Sequence, residues 1–204
     1  MLSDEDKNSL LELIKEKAVF YRSVELSSGK KSGYYVDGKQ VTLSANGVYL
    51  VARVILNLIR NDKVDAIGGP TIGADPILGA VICLSHLNRS PIQGFIVRKQ
   101  PKKHGMQRYI EGPPLKKGSR VVIIDDVVTT GESVLRAIKA VKDIGCEVVR
   151  VIALVDRLEG ARERLKEHGF KLTSIFTRED LDLSSNLSSP EEDYLSLKED
   201  PGKN

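Results

Sequence analysis

Residues 120–134 have the sequence Arg-Val-Val-Ile-Ile-Asp-Asp-Val-Val-Thr-Thr-Gly-Glu-Ser-Val, and the interpretation of the whole 204-residue chain starts from this segment. Its apolar run is too short for a helix and is rich in β-branched side chains, which predicts a strand over Arg120–Asp125 that is buried on both faces. Asp125 and Asp126 lie at the carboxyl end of this predicted strand. A cluster of hydroxyl side chains and one glycine, Thr129–Ser133, then leads into a helix with apolar residues at helical spacing.

The loop Thr129–Ser133 has the features of an anion-binding site. Free backbone N–H groups and the positive end of the helix dipole point toward a ligand at a helix N-terminus, and glycine allows a close backbone approach. The carboxylates that precede the loop suit a phosphorylated sugar, because Asp125 and Asp126 can accept hydrogen bonds from ribose hydroxyls. They can also hold Mg²⁺ through its water shell. The alternative is that the acid pair only caps the following helix.

The rest of the chain alternates between predicted strands and predicted helices. In order, these are a helix after Ser3, a short aromatic strand before Asp37, a helix from Ser44, a strand over Val64–Gly68, a helix through Ile77 and Leu84, strands over Pro91–Arg98, Arg120–Asp125 and Glu147–Val155, a helix over Glu159–His168, a strand over Lys171–Phe176 and a last short helix capped by Thr177–Asp180. This alternation predicts an α/β fold with a parallel sheet flanked by helices. Ligands of such sheets bind at the carboxyl ends of the strands.

Composition limits the class of protein. The length suits one domain with a full core, expected over 1–183, and an acidic, flexible tail is expected over 184–204. The formal net charge of +3 does not call for nucleic acid or a membrane surface as a partner. No membrane span or signal peptide is predicted, so we expect a cytoplasmic protein. Cys83 and Cys146 lie in apolar segments without metal or redox spacing and are expected to be buried free thiols.

A basic segment replaces the helix expected between the second and third core strands. Its cationic residues are Arg98, Lys99, Lys102, Lys103, His104 and Arg108. An ordinary solvated loop is one interpretation. However, a connection of this length without a helix is uncommon unless it is a lid or a binding loop. A mobile cationic flap would cover a pyrophosphate group and exclude water, and we favour this interpretation.

Val122–Ser133 resembles the phosphoribosyl-pyrophosphate (PRPP) loop of type I phosphoribosyltransferases. The family pattern is four apolar residues, two acids, two apolar residues and a Thr/Gly/Ser cluster, as found here. The resemblance implies the type I phosphoribosyltransferase fold and Mg²⁺ as cofactor, held through PRPP and water rather than directly by the protein. The PRPP-binding residues that it implies are Asp125, Asp126, Val127, Val128, Thr129, Thr130, Gly131, Glu132 and Ser133.

The segment Arg98–Gly105 is similar to the catalytic flap of one branch of that family, the orotate phosphoribosyltransferases. The flap residues implied to bind PRPP through its pyrophosphate are Arg98, Lys99, Lys102 and His104. In that branch the flap reaches into the neighbouring subunit, which implies a homodimer with the flap acting in trans. The partners implied are PRPP and orotate, without nucleic acid or membrane. We expect Lys102 to be the catalytic residue.

Two other segments extend the resemblance. Ser27–Asp37 matches a small N-terminal hood, placed at about 1–43 ahead of a core at about 44–183, and its alternative is a basic surface hairpin. The orotate-binding residues implied are Tyr35 and Val36 in the hood, Thr129 in the loop and Arg157 at a strand end. Some family members carry lysines where this chain has Ser27 and Gly73, and Lys30 or Lys31 is the candidate replacement for that charge.

The implied reaction transfers the 5-phosphoribosyl group from PRPP to orotate, giving orotidine 5′-monophosphate and pyrophosphate in pyrimidine biosynthesis. Positive charge develops on the ribose as pyrophosphate leaves, so the protein must align the substrates and stabilise the leaving group. The alternatives are a purine or uracil phosphoribosyltransferase, a PRPP-sensing regulator that binds nucleic acid, and a doubly wound domain with chance motifs.

Overall fold

The computed structural model describes residues 4–21, 24–25, 31–100 and 109–183. The helices are α1 (Asp4–Lys17), α2 (Lys39–Thr42), α3 (Ala45–Leu58), α4 (Asp75–Leu87), α5 (Glu132–Asp143) and α6 (Ala161–Glu167). The strands are β1 (Val19–Phe20), β2 (Val24–Glu25), β3 (Lys31–Ser32), β4 (Tyr35–Val36), β5 (Ala66–Pro70), β6 (Gln93–Val97), β7 (Ile110–Glu111), β8 (Arg120–Val128), β9 (Glu147–Asp156) and β10 (Leu172–Thr177). No helix in these ranges is long and apolar enough to cross a membrane.

One six-stranded sheet, in the order β10-β9-β8-β5-β6-β7, forms the centre of the fold. Its strand pairs are parallel except β6 and β7, which are antiparallel at one edge. The predicted α/β fold is therefore confirmed, with β7 as an antiparallel addition. The pairs β1–β4 and β2–β3 form two small antiparallel sheets within the segment predicted to be the hood.

Strand β8 is buried on both faces, as its sequence predicts. Val121 and Ile123 pack in a cluster with residues of α5 and α6, whereas Val122 and Ile124 pack on the opposite side with residues of α1, α3 and α4. All of these strand side chains are at most 1% exposed. Because alternate residues of a strand point to opposite faces, one continuous run of branched apolar residues fills both helix–sheet interfaces.

The helix predicted from Ser44 begins as expected. The Ser44 hydroxyl oxygen accepts a hydrogen bond from the N–H of Gly47 at 3.2 Å, which is an N-cap for α3. The buried face of α3 includes Leu50, Val51, Val54 and Ile55. This face joins α1 to the central sheet and so connects the N-terminal part to the core.

Strand β8 was predicted to end at Asp125, and this prediction is wrong. The strand continues to Val128, so both carboxylates lie within it. Pairing with β9 continues through Val127 and Val128, which align with Val155 and Asp156. The acidic residues are poor strand formers, but the pairing of β8 with the neighbouring strand β9 overrides their local preference.

Two smaller predictions are also wrong. A turn follows Thr177 in place of the predicted short helix, and the Asp180 carboxylate accepts hydrogen bonds from the N–H and the hydroxyl of Thr177 at 2.7 and 2.8 Å. Cys83 is exposed on α4, whereas Cys146 is a buried free thiol as expected. An apolar stretch of sequence does not establish which side of a surface helix each residue occupies.

Replacing Ile124 with alanine should lower the free energy of unfolding by about 2–5 kcal/mol, because the change leaves a cavity between β8 and the helices that cover it. The matched control is Ile144→Ala, since Ile144 is 46% exposed and its truncation should change stability by roughly 0.5 kcal/mol or less. Urea unfolding of both variants measures the difference. Equal losses for the two variants would contradict the assignment of β8 to the centre of the core.

Candidate active site

Two adjacent carboxylates, Asp125 and Asp126, are buried near the carboxyl end of β8, and each residue is only 7% exposed. Asp125 accepts hydrogen bonds from the N–H of Asp126 at 3.0 Å and from the Ser133 hydroxyl at 3.1 Å. Asp126 accepts one from the N–H of Val127 at 2.8 Å. The bond to Ser133 ties Asp125 to the first turn of α5, where the sequence predicts a phosphorylated sugar.

Glycines on two other segments allow the backbone to contact the acid pair. A Cβ atom at Gly73, between β5 and α4, would lie 2.2 Å from Oδ1 of Asp126 and 2.7 Å from Oδ1 of Asp125. A Cβ atom at Gly38, in the turn after β4, would lie 3.0 Å from Oδ2 of Asp126. A lysine at position 73 would therefore require the carboxylates to move, which gives a physical reason for glycine there.

The acid pair holds protons more tightly than exposed carboxylates do. Burial and the neighbouring charge of Asp126 raise the pKa of Asp125 to about 8. Burial also raises the pKa of Asp126, although the N–H of Val127 and the ammonium group of Lys39 act in the opposite direction. Because two adjacent buried carboxylates resist simultaneous ionisation, the pair favours ligands that bring hydrogen-bond donors or positive charge.

The loop after β8 leads into the N-terminus of α5. Gly131 has a φ of 76°, a left-handed conformation that favours glycine. A Cβ atom there would also lie 3.3 Å from Ala161 at the start of α6. Thr129, Thr130 and Ser133 are half-buried, and the N-cap residue of α5 is Gly131, which has no side chain to cap the helix. The N–H groups of this turn are thus directed at the position where an anion would bind.

The loop after β5 forms a second helix N-terminus at the same edge of the sheet. The Thr71 hydroxyl donates a hydrogen bond to the Asp75 carboxylate at 2.7 Å, and the N–H of Thr71 donates to the carbonyl of Val97 at 3.1 Å. Ile72 is 66% exposed. Since β5 is next to β8 in the sheet, this loop and the acid pair lie side by side.

Arg157 lies at the end of β9 and is 3% exposed. Its N–H donates to the carbonyl of Val128 at 3.0 Å, which fixes it beside the end of β8. Its guanidinium group lies 4.9 Å from the centre of the Tyr34 ring, and its Nε lies 3.0 Å from Oε1 of Glu159. Tyr34 directly precedes β4, so these contacts place Arg157 between the core and the N-terminal strand.

The predicted site residues fall into four groups. The loop residues and Arg157 lie together at the carboxyl edge of the sheet, as described above. Val36 is 4% exposed and Tyr35 is half-buried in β4, which pairs with β1. Arg98 and Lys99 follow β6, and Arg98 is exposed with its Nη1 3.5 Å from Glu111. Lys102 and His104 lie outside the described residues.

The sequence interpretation missed two residues at this edge, Lys39 and Asp156. Lys39 lies with its Nζ 2.7 Å from Oδ1 of Asp37 and 3.9 Å from Oδ2 of Asp126. Asp156 is fully buried and accepts hydrogen bonds from the N–H of Leu158 at 2.9 Å and from Nε of Arg162 at 2.6 Å. The signal for Lys39 was the Asp-Gly-Lys sequence directly after the aromatic strand. Asp156 carried no comparable signal beyond its position next to Arg157.

Comparison with known proteins identifies relatives of this chain. The family model of the phosphoribosyl transferase domain matches residues 38–180, which include the acid pair, the loop before α5 and Arg157. An orotate phosphoribosyltransferase of Aquifex aeolicus (strain VF5) is 45% identical over 179 residues, covering 86% of this chain and 97% of that protein.

Solved structures agree with the sequence matches. The orotate phosphoribosyltransferase of Mycobacterium tuberculosis H37Rv in complex with Fe(III) dicitrate has a TM-score of 0.76 and 40% identity, covering 87% of this chain and 99% of that chain. The same enzyme in complex with PRPP has a TM-score of 0.72 and 37% identity, with coverage of 87% and 99%.

The raised pKa of Asp125 predicts how the ligand-free protein responds to pH. Between the ordinary carboxyl value of 3.8 and about 8, the folded state holds a proton that the unfolded state has lost. The free energy of unfolding therefore falls as pH rises through this window. Asp125→Asn removes this titration, so the variant should gain several degrees in melting temperature over the wild type as pH rises.

Melting temperatures from pH 5 to pH 9 in the absence of substrates test this expectation. Asp143→Asn is the matched control, because the Asp143 side chain is 59% exposed and pairs with Lys139 on the surface of α5. Parallel curves for Asp125→Asn and the wild type would show that Asp125 titrates as an ordinary carboxyl group.

Proposed function

We propose that the site at the carboxyl edge of the sheet transfers the 5-phosphoribosyl group from PRPP to orotate, because this chain belongs to the orotate phosphoribosyltransferase family. The products are orotidine 5′-monophosphate and pyrophosphate, and the reaction is a step of pyrimidine biosynthesis. The observation that carries the proposal is the bond between Asp125 of the buried acid pair and Ser133 in the first turn of α5, with Arg157 bonded to the same strand end.

PRPP is the substrate whose groups suit the centre of the site. Its 5′-phosphate binds the loop Thr129–Ser133, where backbone N–H groups and hydroxyls are the donors. Val127 and Val128 lead into this loop, and Glu132 begins α5. Asp125 and Asp126 accept hydrogen bonds from the ribose hydroxyls, and charged acceptors make these bonds strong.

The flap residues Arg98, Lys99, Lys102 and His104 bind the pyrophosphate group. Support comes from the base of the flap, where β7 pairs with β6 and the N–H of Arg98 donates to the carbonyl of Tyr109 at 2.8 Å. Arg98 and Tyr109, on either side of the flap residues, therefore both lie beside the carboxyl end of β6. Lys102 is the catalytic residue, because its charge offsets the negative charge that develops on the leaving pyrophosphate. Action in trans within a homodimer and a cytoplasmic location stay predictions.

Orotate binds between the N-terminal strand and the end of β9. The backbone of Tyr35 and Val36, the hydroxyl of Thr129 and the guanidinium group of Arg157 are its partners. A guanidinium group offers two parallel donors, which match a carboxylate and carbonyl edge. Arg157 also contacts Tyr34 and Glu159, which hold its side chain between the N-terminal strand and the end of β9. Orotate is already an anion, and its reacting nitrogen needs no strong general base.

The donor set of the site fits Mg²⁺ that is held mainly by PRPP and water. Asp125 and Asp126 are two buried carboxylates at the position proposed for the ribose, and they would accept hydrogen bonds from the water shell of Mg²⁺ that PRPP holds. When bound, Mg²⁺ would reduce the negative charge on the leaving pyrophosphate.

The ultraviolet absorbance of orotate, mixed with the protein, PRPP and Mg²⁺, tests the reaction. The signal should fall only when PRPP and Mg²⁺ are both present. Lys102→Ala should lower kcat by about 10²–10³-fold, the size expected for removing one group that stabilises charge in the transition state. The matched control is Lys171→Ala, because Lys171 is exposed ahead of β10, at the opposite end of the sheet.

The outcome separates the candidate functions. Turnover with adenine, hypoxanthine or uracil but not with orotate would keep the phosphoribosyl transfer and reject orotate as the acceptor. PRPP binding without turnover of any base would favour a regulatory protein. Loss of activity in Lys171→Ala equal to that in Lys102→Ala would reject the special role of Lys102.

Arg157→Lys should lower kcat/KM for orotate by roughly tenfold or more, because the compact ammonium group of lysine cannot make two parallel hydrogen bonds. KM for PRPP should change much less, since Arg157 is assigned to the base and not to the sugar. Arg60→Lys is the control, because Arg60 is exposed just after α3 and bonds to Asn57. Equal effects of Arg157→Lys on the two substrates would contradict this assignment.

A further inference from the structure

The turn Asp37-Gly-Lys39 brings a positive charge from the N-terminal part to the acid pair. The Nζ atom of Lys39 lies 2.7 Å from Oδ1 of Asp37 and 3.9 Å from Oδ2 of Asp126. The Lys39 side chain is 36% exposed, whereas the Asp37 and Asp126 side chains are 17% and 10% exposed. The ammonium group thus lies between two mostly buried carboxylates, at the rim of the site.

The turn that carries Lys39 is held at both ends. On one side, the N–H of Asp37 donates to the carbonyl of Ala18 at 2.8 Å, next to the paired strands β1 and β4. On the other side, Lys39 is the first residue of α2, in which Val41 and Thr42 are buried. Asp37 also accepts hydrogen bonds from the N–H of Lys39 and from Nε2 of Gln40. The position of the ammonium group is therefore set by the backbone as well as by the ion pair.

Asp126 is contacted differently at its two oxygen atoms. Oδ1 accepts the N–H of Val127 and lies beside Gly73, whereas Oδ2 lies beside Gly38 and faces Lys39. Because a Cβ atom at Gly38 would approach to 3.0 Å, the turn already lies in van der Waals contact with this carboxylate. Lys39 also opposes the effect of burial on the pKa of Asp126, which favours the ionised form that accepts hydrogen bonds from hydroxyl groups.

We propose that Lys39 is a positioning residue that holds the Asp126 carboxylate in place for the ribose hydroxyls of PRPP. The proposal rests on the proposed function, in which Asp126 binds the ribose. It assigns to the turn Asp37–Lys39 a role in sugar binding, distinct from the binding of the base by β4 and of pyrophosphate by the flap. Asp37 has the complementary task of directing Lys39 toward Asp126.

Binding of two fragments of PRPP separates this role from a general structural effect. Ribose 5-phosphate carries the hydroxyl groups that Asp126 would bind, whereas pyrophosphate does not. Calorimetry should show that Lys39→Met and Lys39→Gln weaken ribose 5-phosphate binding by about tenfold, the loss expected for one charge-assisted contact. Binding of pyrophosphate should be unchanged. Lys39→Arg, which keeps the charge, should restore most of the affinity for ribose 5-phosphate.

Two controls complete the experiment. Lys15→Met removes an ion pair of the same 2.7 Å length, to Asp182, whose side chain is 79% exposed, and should leave both affinities unchanged. In an Asp126→Asn background, Lys39→Met should cause little further loss of ribose 5-phosphate affinity, because a residue that acts through Asp126 is not additive with it.

The results distinguish this proposal from the proposed function. Wild-type affinity for ribose 5-phosphate in both Lys39→Met and Lys39→Gln would overturn the proposal, as would equal weakening of pyrophosphate or full additivity with Asp126→Asn. Orotate consumption by the wild-type protein is measured separately. If that activity is present while the Lys39 variants bind normally, the function stands and the role of Lys39 is rejected. If the activity is absent, the binding data still decide whether Lys39 acts through Asp126.

Discussion

The burial of two adjacent carboxylates at the end of β8 is the constraint on which the rest of the structure depends. Two such groups remain in a folded protein only where hydrogen-bond donors and nearby charge compensate for lost hydration. The Ser133 hydroxyl, the backbone N–H groups of Asp126 and Val127, and the ammonium group of Lys39 supply this compensation. Space is also required, and Gly73 and Gly38 provide it by carrying no side chain where the backbone meets the pair.

The sheet order explains how these contributions meet. β8 lies between β9 and β5, so the end of β8 is flanked by Arg157 on one side and by the loop that contains Gly73 on the other. Three chemically different surfaces result at one edge: N–H groups at the start of α5, a carboxylate pair, and a guanidinium group. A phosphorylated sugar bound beside a planar anion matches these three surfaces in the same order. A parallel sheet places all three at the same edge because its strands end there together.

The parts of this arrangement that follow from local sequence were predictable, and those that follow from long-range contacts were not. The run from Val121 to Ile124 and the Thr/Gly/Ser cluster are each a continuous stretch of sequence. Their strand and loop could therefore be predicted from the pattern of apolar residues and from composition. The strand end was misplaced because pairing with β9 carries the acidic residues into the strand. Arg157 was identified only through family resemblance, and Lys39 was missed, because its contact with Asp126 joins residues that are far apart in sequence.

The same acid pair also sets a conflict between stability and ligand binding. In the absence of ligand, burial raises the pKa of both carboxyl groups, so keeping them ionised opposes folding. A neutral side chain at either position would relieve that cost, but it would remove the charged acceptors that bind hydroxyl groups most strongly. The apolar residues of β8, packed against helices on both faces, are what allow the chain to tolerate this cost. The run of branched side chains and the acid pair that follows it are therefore linked by energetics as well as by sequence: the first stabilises the strand that holds the second in place.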